Sequence, residues 1–573
     1  MISFLIFSHC VYSQGDSSAK RRWHVTGTAG ISYEGYGLDA KPDGSNIYSP
    51  RKPWNQVRFV FNPVFQKGDF SLPVNINFAA MATNFAGPYA GLKNQSIGQF
   101  LTNPANNFGL NPRYKWAELQ LGTQYLHYSD LSTGDIGIFG AGIDLKPGIY
   151  RMKFFTGVSQ LGIDAAITNP MAPMNTGSTG AYKRNHWMAQ VGIEKENRYN
   201  LAVTLASGKD DPGSVTVPPT TIKPQEGVVT SVTGDLYFSK GWFIKSELAK
   251  SWFTKDLSQP LSSGMKNSFE PFITGRTSTN ADLAANFSVG KRSTGFDIGY
   301  TSKYVSAGFQ TTGYPYLQAD IWDNTVNTRF SIWKQKMNLV ANIGQRVNNL
   351  SNTSLRANQF IANVNWLTQF SEKFNLTLTY NNFGFTTASG LNPYGIKNVS
   401  TDLGANAVFT WNSKSQMNML NVNYNYSRYN ERDVITGIST ANNTHSVLMS
   451  YVPVFFNSSI NPDFSVVYFH NQTTVSKYTM FTVSSAVAGP AFKKKMQLRA
   501  QLLYTLGKLS QFTANNNLVA SLNMDYKLSR KLSWNVYLSS NYYRYGNELA
   551  PPATLEGARY LESNYRTGLQ YKF

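Results

Sequence analysis

The sequence predicts an all-β protein: a single closed antiparallel transmembrane β-barrel of about 24–26 strands, with short periplasmic turns and long extracellular loops. Three observations lead there. Apolar and polar residues alternate over successive segments of roughly 10 to 14 residues along nearly the whole chain, the pattern of a strand with two unlike faces. Aromatic residues make up 14% of the chain, which suits the girdles that a barrel places at its two water interfaces. No run of ~18 apolar residues is present to cross a membrane as a helix, so a membrane chain of this composition crosses by strands. An open sheet in hydrocarbon would leave its edge amides unpaired, which is why the strands must close on themselves. A soluble sandwich also alternates, but it does not ordinarily place about two dozen long strands in one undivided domain.

Residues 1–14 read as a secretory signal peptide. Ile2 to Phe7 form an apolar core and Ser8 to Gln14 a small polar end, with cleavage expected near Ser13 to Gly15. Residues 15–573 then form the barrel. The single cysteine, Cys10, falls in the removed segment, with lipid attachment there as the alternative; a disulfide scaffold is excluded for the mature chain. The formal charge of +20 arises from 52 basic against 32 acidic residues, dispersed and often in short turns. Without a Lys/Arg-rich helix or a basic-aromatic platform, nucleic acid is not expected as a partner.

A first strand is expected from about Trp23 to Tyr36 and a second from about Val57 to Phe65. Across the turn Gln66-Lys67-Gly68-Asp69, a third runs from about Phe70 to Met81. From Tyr114 onward hairpins repeat. In the clearest, Ala362, Val364 and Trp366 face opposite to Asn363, Asn365 and Leu367, while Leu376, Leu378 and Tyr380 face opposite to Thr377, Thr379 and Asn381. Leu420, Val422, Tyr424 and Tyr426 likewise alternate with Asn421, Asn423, Asn425 and Ser427. The Asn-rich face is assigned to the lumen. Amide and hydroxyl groups with little charge would there pass small polar solutes with weak ion selectivity.

The connections sort by length. Short turns carry Lys146, Lys195, Lys240, Lys291, Arg292, Lys334, Lys336, Lys414, Arg530 and Lys531, a candidate periplasmic basic rim that solvates the barrel end beside lipid phosphates or docks a periplasmic partner. Long connections at 161–183, 208–226, 254–277, 305–326, 385–400, 429–440 and 546–562 belong on the extracellular side. Strand parity counted from the two ends of the chain disagrees by one crossing at residues 83–113. Either a strand is concealed there, or the segment returns through the lumen. Pro88, Pro104 and Pro112 argue against a regular central strand, so 83–113 is read as a candidate lumenal plug or constriction, with Phe85, Tyr89, Phe100 and Phe108 its lumenal side chains.

Catalytic chemistry is not legible. His9, His24, His127, His186, His445 and His470 are scattered, without metal-ligand spacing or an adjacent nucleophile. Asp210-Asp211-Pro212-Gly213 and Asn461-Pro462-Asp463 read as turns, since neither supplies the roughly 6–8 oxygens that calcium takes. No catalytic, cofactor-binding or metal-binding residues are assigned, no cofactor is expected, and the chain is not read as an enzyme.

The closing stretch places Tyr565, Thr567, Leu569, Tyr571 and Phe573 on one face and Asn564, Arg566, Gly568, Gln570 and Lys572 on the other. The order Arg566, Gly568, Tyr571, Phe573 resembles the polar-x-Gly-x-x-apolar-x-aromatic assembly signal of bacterial outer-membrane barrels. Gly109 to Trp116, with Gly140, Ala141, Gly142, Asp144 and Lys146-Pro147-Gly148, resembles large outer-membrane barrel proteins of Bacteroidota. These resemblances imply a porin-like barrel in the bacterial outer membrane, surrounded by outer-membrane lipids and inserted by the barrel-assembly machinery. They imply fold and place rather than activity. Three functions fit. The first is a structural or accessory component of a membrane protein assembly, with a largely blocked lumen and periplasmic or outer-membrane protein partners. The second is a passive or partner-gated pore for polar solutes, and the third a surface barrel that binds a ligand or glycan with its outer loops.

Overall fold

The computed structural model describes residues 22–41, 52–81, 97–102, 106–134, 136–165, 180–262, 272–353, 356–387, 396–433, 439–510, 512–546, 549–550, 553–554 and 558–573. Within them one antiparallel sheet of 26 crossings closes into a barrel. The first quarter contains β1 (His24–Lys41), β2 (Asn55–Lys67), β3 (Phe70–Met81), and β4, a broken crossing made of Asn107–Leu110 and Arg113–Tyr114. It continues with β5 (Ala117–Leu126), β6 (Ile136–Leu145) and β7 (Tyr150–Gln160). Next come β8 (Lys183–Lys195), β9 (Tyr199–Asp211), β10 (Glu226–Tyr237), β11 (Trp242–Thr254), β12 (Thr279–Ser293), β13 (Phe296–Val305) and β14 (Ile321–Ile332). They are followed by β15 (Met337–Asn348), β16 (Ala357–Ser371), β17 (Phe374–Thr387), β18 (Ile396–Asn412), β19 (Gln416–Asp433) and β20 (Ser439–Phe455). The last six are β21 (Asn461–Gln472), β22 (Lys477–Ala491), β23 (Met496–Leu509), β24 (Asn515–Lys527), β25 (Leu532–Arg544) and β26 (Arg559–Lys572).

Closure is made by the terminal strand. β26 pairs with β25 through Leu538 and Tyr565 and with β1 through Gly35 and Tyr565, so its backbone is satisfied on both sides. At this seam, among the described residues, the sheet therefore leaves no open edge to face hydrocarbon. At the seam Arg566 lies 3.6 Å from Glu34 on the polar face, and the Phe573 N–H donates to the Gly27 carbonyl at 3.1 Å. Short turns reverse the chain tightly by residues at positive φ, Gly68 and Gly148 where glycine is present and Asn197 and Lys240 where it is not.

The register separates two faces consistently. Ile31, Tyr565, Leu569, Trp366, Leu403, Val203, Leu248 and Ile298 are exposed apolar residues on the outer face. Asn363, Asn381, Asp402, Ser427 and Thr444 form a continuous cross-strand row on the inner one. The facing expected for Ala362, Val364 and Trp366 against Asn363, Asn365 and Leu367 is the one observed.

The parity mismatch at 83–113 resolves into a crossing. β4 pairs with β3 through Val74 to Asn77 and with β5 through Gly109 and Leu110, and thus supplies the return pass. Its shortness explains why periodicity does not reveal it: four paired residues, a break at Asn111-Pro112, then two more. β4 is squeezed between its neighbours, and Gly122 on β5 sits at φ +84 where any Cβ would collide with the Phe108 carbonyl. Phe108 is a wall residue rather than a lumenal one, because its partner Ile76 stands opposite Phe61 on the outer face. Phe100, on a short helix Ile97–Thr102, packs against Phe78 edge-on and against Phe108 at a tilt, 5.9 Å from each, and so belongs to the same aromatic cluster. Phe85 and Tyr89 lie outside the described residues.

Candidate functional site in the lumen

Two extracellular loops turn inward. The β5–β6 loop, which carries His127 to Gly134, and the β13–β14 loop, Ser306 to Asp320, dock side by side on the inner face of β8 to β14. Each has one large apolar side chain that anchors it: Leu131 and Phe309, 0% and 1% exposed. Both pack in one cluster with Val229, Ala249, Ala284, Val305 and Ile321. The strands make room with small inward residues, Ser231, Ala249, Ser251 and Ala284, all buried beneath the loops. Gly208 serves the same end, since a Cβ there would strike Thr312.

Because a loop buried in a lumen must satisfy its backbone, the wall supplies partners. The Leu131 N–H donates to Glu247 at 3.2 Å, and the hydroxyls of Ser129 and Ser231 are 2.9 Å apart. Gln190 donates to the Tyr128 carbonyl and to Thr204, both at 2.9 Å. Between the loops, the Thr311 hydroxyl donates to the Ser132 carbonyl at 2.8 Å, and the Gly134 N–H to the Gly313 carbonyl at 3.0 Å. Gly308 donates its N–H to Asp282 at 2.8 Å.

Beneath the β5–β6 loop is a charged cavity of about 360 Å³ whose lining includes Asp130, Arg151, Lys153, Asp235, Lys245 and Glu247. Its charges are largely paired. Arg151 meets Glu194 at 2.6 Å and Lys245 meets Asp235 at 3.5 Å, while the Lys153 ammonium lies 5.5 Å from the Tyr128 ring centre. Nearer the outer mouth Arg184 holds Asp210 by two hydrogen bonds of 2.7 and 2.9 Å. Burial pushes the Tyr128 phenol well above the ordinary range, with the Asp144 carboxylate adding to it. The hydrogen bond from His127, 3.2 Å away, holds the Asp130 carboxyl below its usual range, helped by the charges of Lys303 and Lys245.

This arc overturns the expectation of an inner face poor in charge. That expectation holds for most of β15 to β20, where Asn342, Asn363 and Asn381 lie in one cross-strand row that runs on through Asp402 to Ser427, with Arg346 of β15 pointing inward to Asp323 at 2.6 Å as an exception. It fails for β5 to β14, where charged residues take inward positions in strands whose alternation is less regular.

The expected rim residues gather at the short-turn end. Lys146 meets Asp144 at 3.4 Å; Lys291 lies over the Trp242 and Phe296 rings, Arg292 over Phe243, and Lys531 over Tyr571. Lys240 and Lys334 occupy turn positions at positive φ, and Lys195, Lys336, Lys414 and Arg530 lie in or beside turns at the same end. Lys493 and Lys494, in the β22–β23 turn, extend the rim beyond the residues singled out in the sequence. Of the four assembly-signal positions, Arg566 and Gly568 face inward, Tyr571 faces outward, and the Phe573 ring touches those of Phe61 and Tyr571. His445 and His470, distant in sequence, stand opposite one another across β20 and β21. Among the described residues no cluster of three metal-ligating side chains occurs, and no helix is long and apolar enough to cross a membrane.

A closed barrel of 26 strands with an apolar exterior, short turns at one end and long loops at the other is a bacterial outer-membrane β-barrel. No protein-family model and no curated protein matches the chain in sequence. Among solved structures it is similar to the FrpB iron transporter from Neisseria meningitidis, at 10% identity and TM-score 0.38, with 96% of this chain and 82% of that one covered. It is also similar to the P pilus usher PapC translocation pore, at 10% identity and TM-score 0.33 over 94% and 99% of the chains. The anion-selective porin from Comamonas acidovorans gives 10% identity and TM-score 0.26 over 68% and 100%.

Proposed function

We propose that the barrel is a passive pore for small polar solutes, narrowed on one side by the docked loop pair. The observation that carries this is the one-sidedness of the filling. Among the described residues the docked loops cover the inner face of β8 to β14, whereas Asn363, Asn365, Asn381 and Asn425 on the opposite arc are exposed to the lumen. Barrels of about 16–18 strands already hold an aqueous channel, and diameter grows with strand number. A solute would pass along the amide arc, exchanging water hydrogen bonds for those of Asn, Ser and Thr, with the charged arc beside it setting ion preference. Single-channel conductance of the purified chain in a planar bilayer tests the reading. Discrete large steps are expected; a silent protein, both intact and with Leu131→Asp and Phe309→Asp releasing the loops, would rule it out.

A second reading, a structural or accessory component of a membrane assembly, is favoured by the basic rim, whose lysines and arginines converge on one end from turns spread over the whole chain. A periplasmic protein with an acidic face is the partner this charge suits. Neutralising Lys334, Lys336 and Lys414 together would release such a partner from the co-purified complex and leave conductance unchanged. We further read Arg566, Gly568, Tyr571 and Phe573 as the signal for insertion by the barrel-assembly machinery.

A further inference from the structure

The outer face of β19 to β23 carries a polar patch that transport through the lumen does not use. Within the apolar band one cross-strand row reads Tyr424, Val447, Tyr468, Phe481 and Leu506. One step toward the loop end the row becomes Tyr426, His445, His470, Thr479 and Lys508, and the next is Arg428, Asn443, Gln472 and Lys477. The transition from hydrocarbon-facing to charged side chains is thus complete within two rows. Arg428, Lys477 and Lys508 are exposed. The histidines are fixed by their Nδ1 atoms, His445 to the Tyr424 hydroxyl at 3.0 Å and His470 to Thr479 at 3.1 Å, and the Tyr426 ring lies 4.9 Å from that of His445. Around them is a shallow hollow of about 380 Å³, lined by Tyr424, Tyr426, Asn443, His445, His470 and Gln472. Among the described outward side chains of these five strands none is a carboxylate; Asp463 points inward, 2.7 Å from Arg499.

We propose that this patch binds the phosphate of an outer-leaflet lipid headgroup. Three exposed cations, two imidazoles and several hydroxyl and amide donors stand at the height where headgroups meet acyl chains, directly above a largely aromatic row that the chains would cover. Cations of this kind attract anionic headgroups, and a guanidinium or ammonium hydrogen-bonded to phosphate is a strong, charge-assisted contact. A phosphate carried on a lipid, rather than one in solution, is favoured because the hollow opens onto the membrane side of the wall.

The test is native mass spectrometry of the purified barrel with bis-phosphorylated lipid A, with its dephosphorylated counterpart, and with inorganic phosphate as competitor. Preferential retention of the phosphorylated lipid is expected. In the variant Arg428→Gln, Lys477→Gln, Lys508→Gln, retention should fall by about fivefold for each charge removed. Heat-modifiable migration checks that the variant has folded. Lys334→Gln, Lys336→Gln, Lys414→Gln removes the same charge from the opposite rim and should leave retention intact. Equal retention of the dephosphorylated lipid, equal loss in both variants, or displacement by millimolar inorganic phosphate would each overturn the proposal.

Discussion

The two arcs of this barrel solve the problem of a wide lumen in different ways. From β15 to β20 the inner face is rich in short amides and hydroxyls: Asn406 stands opposite Asn423, and at the edge of the arc Asn442 and Thr444 of β20 accept from Asn471 of β21 at 2.6 and 2.7 Å. Such side chains bind each other and water with similar ease, so nothing is required to cover them. From β8 to β14 the same face bears small apolar residues and charges. Ala249, Ala284 and Val305 would be costly to wet, and the loops cover them with Leu131 and Phe309. The lesson is that an inner face chosen for docking differs in kind from one chosen for water, and the boundary between them marks where a passage runs.

The most direct way to break the contrast is to remove an anchor. Phe309→Ala should weaken loop docking by about 3–5 kcal/mol, the usual cost of emptying a buried aromatic site. It should expose 306–320 to protease and raise conductance while the barrel remains heat-modifiable; unchanged proteolysis would mean that Phe309 does not hold the loop. Glu247→Ala leaves the buried Leu131 N–H without its acceptor and should cost about 1–3 kcal/mol, visible as faster cleavage of the β5–β6 loop. Smaller in energy, though it sharpens the comparison more, is a matched pair of added charges. Asn363→Lys places a cation among amides and should shift reversal potential toward anions. Ser288→Lys places one beside Lys245 and Glu247, where existing charges absorb much of its effect. Equal shifts would refute the distinction between the arcs.

The amide arc was readable in the sequence because much of it alternates cleanly, as in Leu420 to Ser427, and a period of two is a direct record of two environments. The charged arc was not. Its inward Arg151, Lys153, Asp235, Lys245 and Glu247 are balanced by partners on neighbouring strands, and pairing across strands has no signature along one strand. The first docked loop is hidden for a related reason. His127 to Gly134 is short and polar, so it reads as an exposed turn; Leu131 alone hints at burial, and one leucine in a loop is unremarkable. β4 failed because four paired residues and a proline break fall below what periodicity can detect. The juxtaposition of His445 with His470 depends on register, which spacing does not encode.

Acid and base should both weaken docking of the loop, through pKa shifts of opposite direction, and leave the amide arc untouched. The docked Tyr128 phenol is raised above its ordinary 10.0, mainly by burial, so the docked state holds that proton more tightly than the released one. Its stabilisation is complete below pH 10 and is lost as pH rises from there toward the raised value, because only the released loop can then ionise. Asp130 is lowered from 3.8, chiefly by the hydrogen bond with His127, so its contribution is present above that value and lost as pH falls below it. Asp130 is more than half exposed, so the acid effect should be the weaker. Cleavage of the β5–β6 loop should accordingly accelerate above pH 10 and, less, below about pH 4, with a plateau between. Tyr128→Phe should remove the alkaline limb alone. If the limb persists in that variant, ionisation elsewhere governs release, and the burial of Tyr128 is a consequence of docking rather than one of its supports.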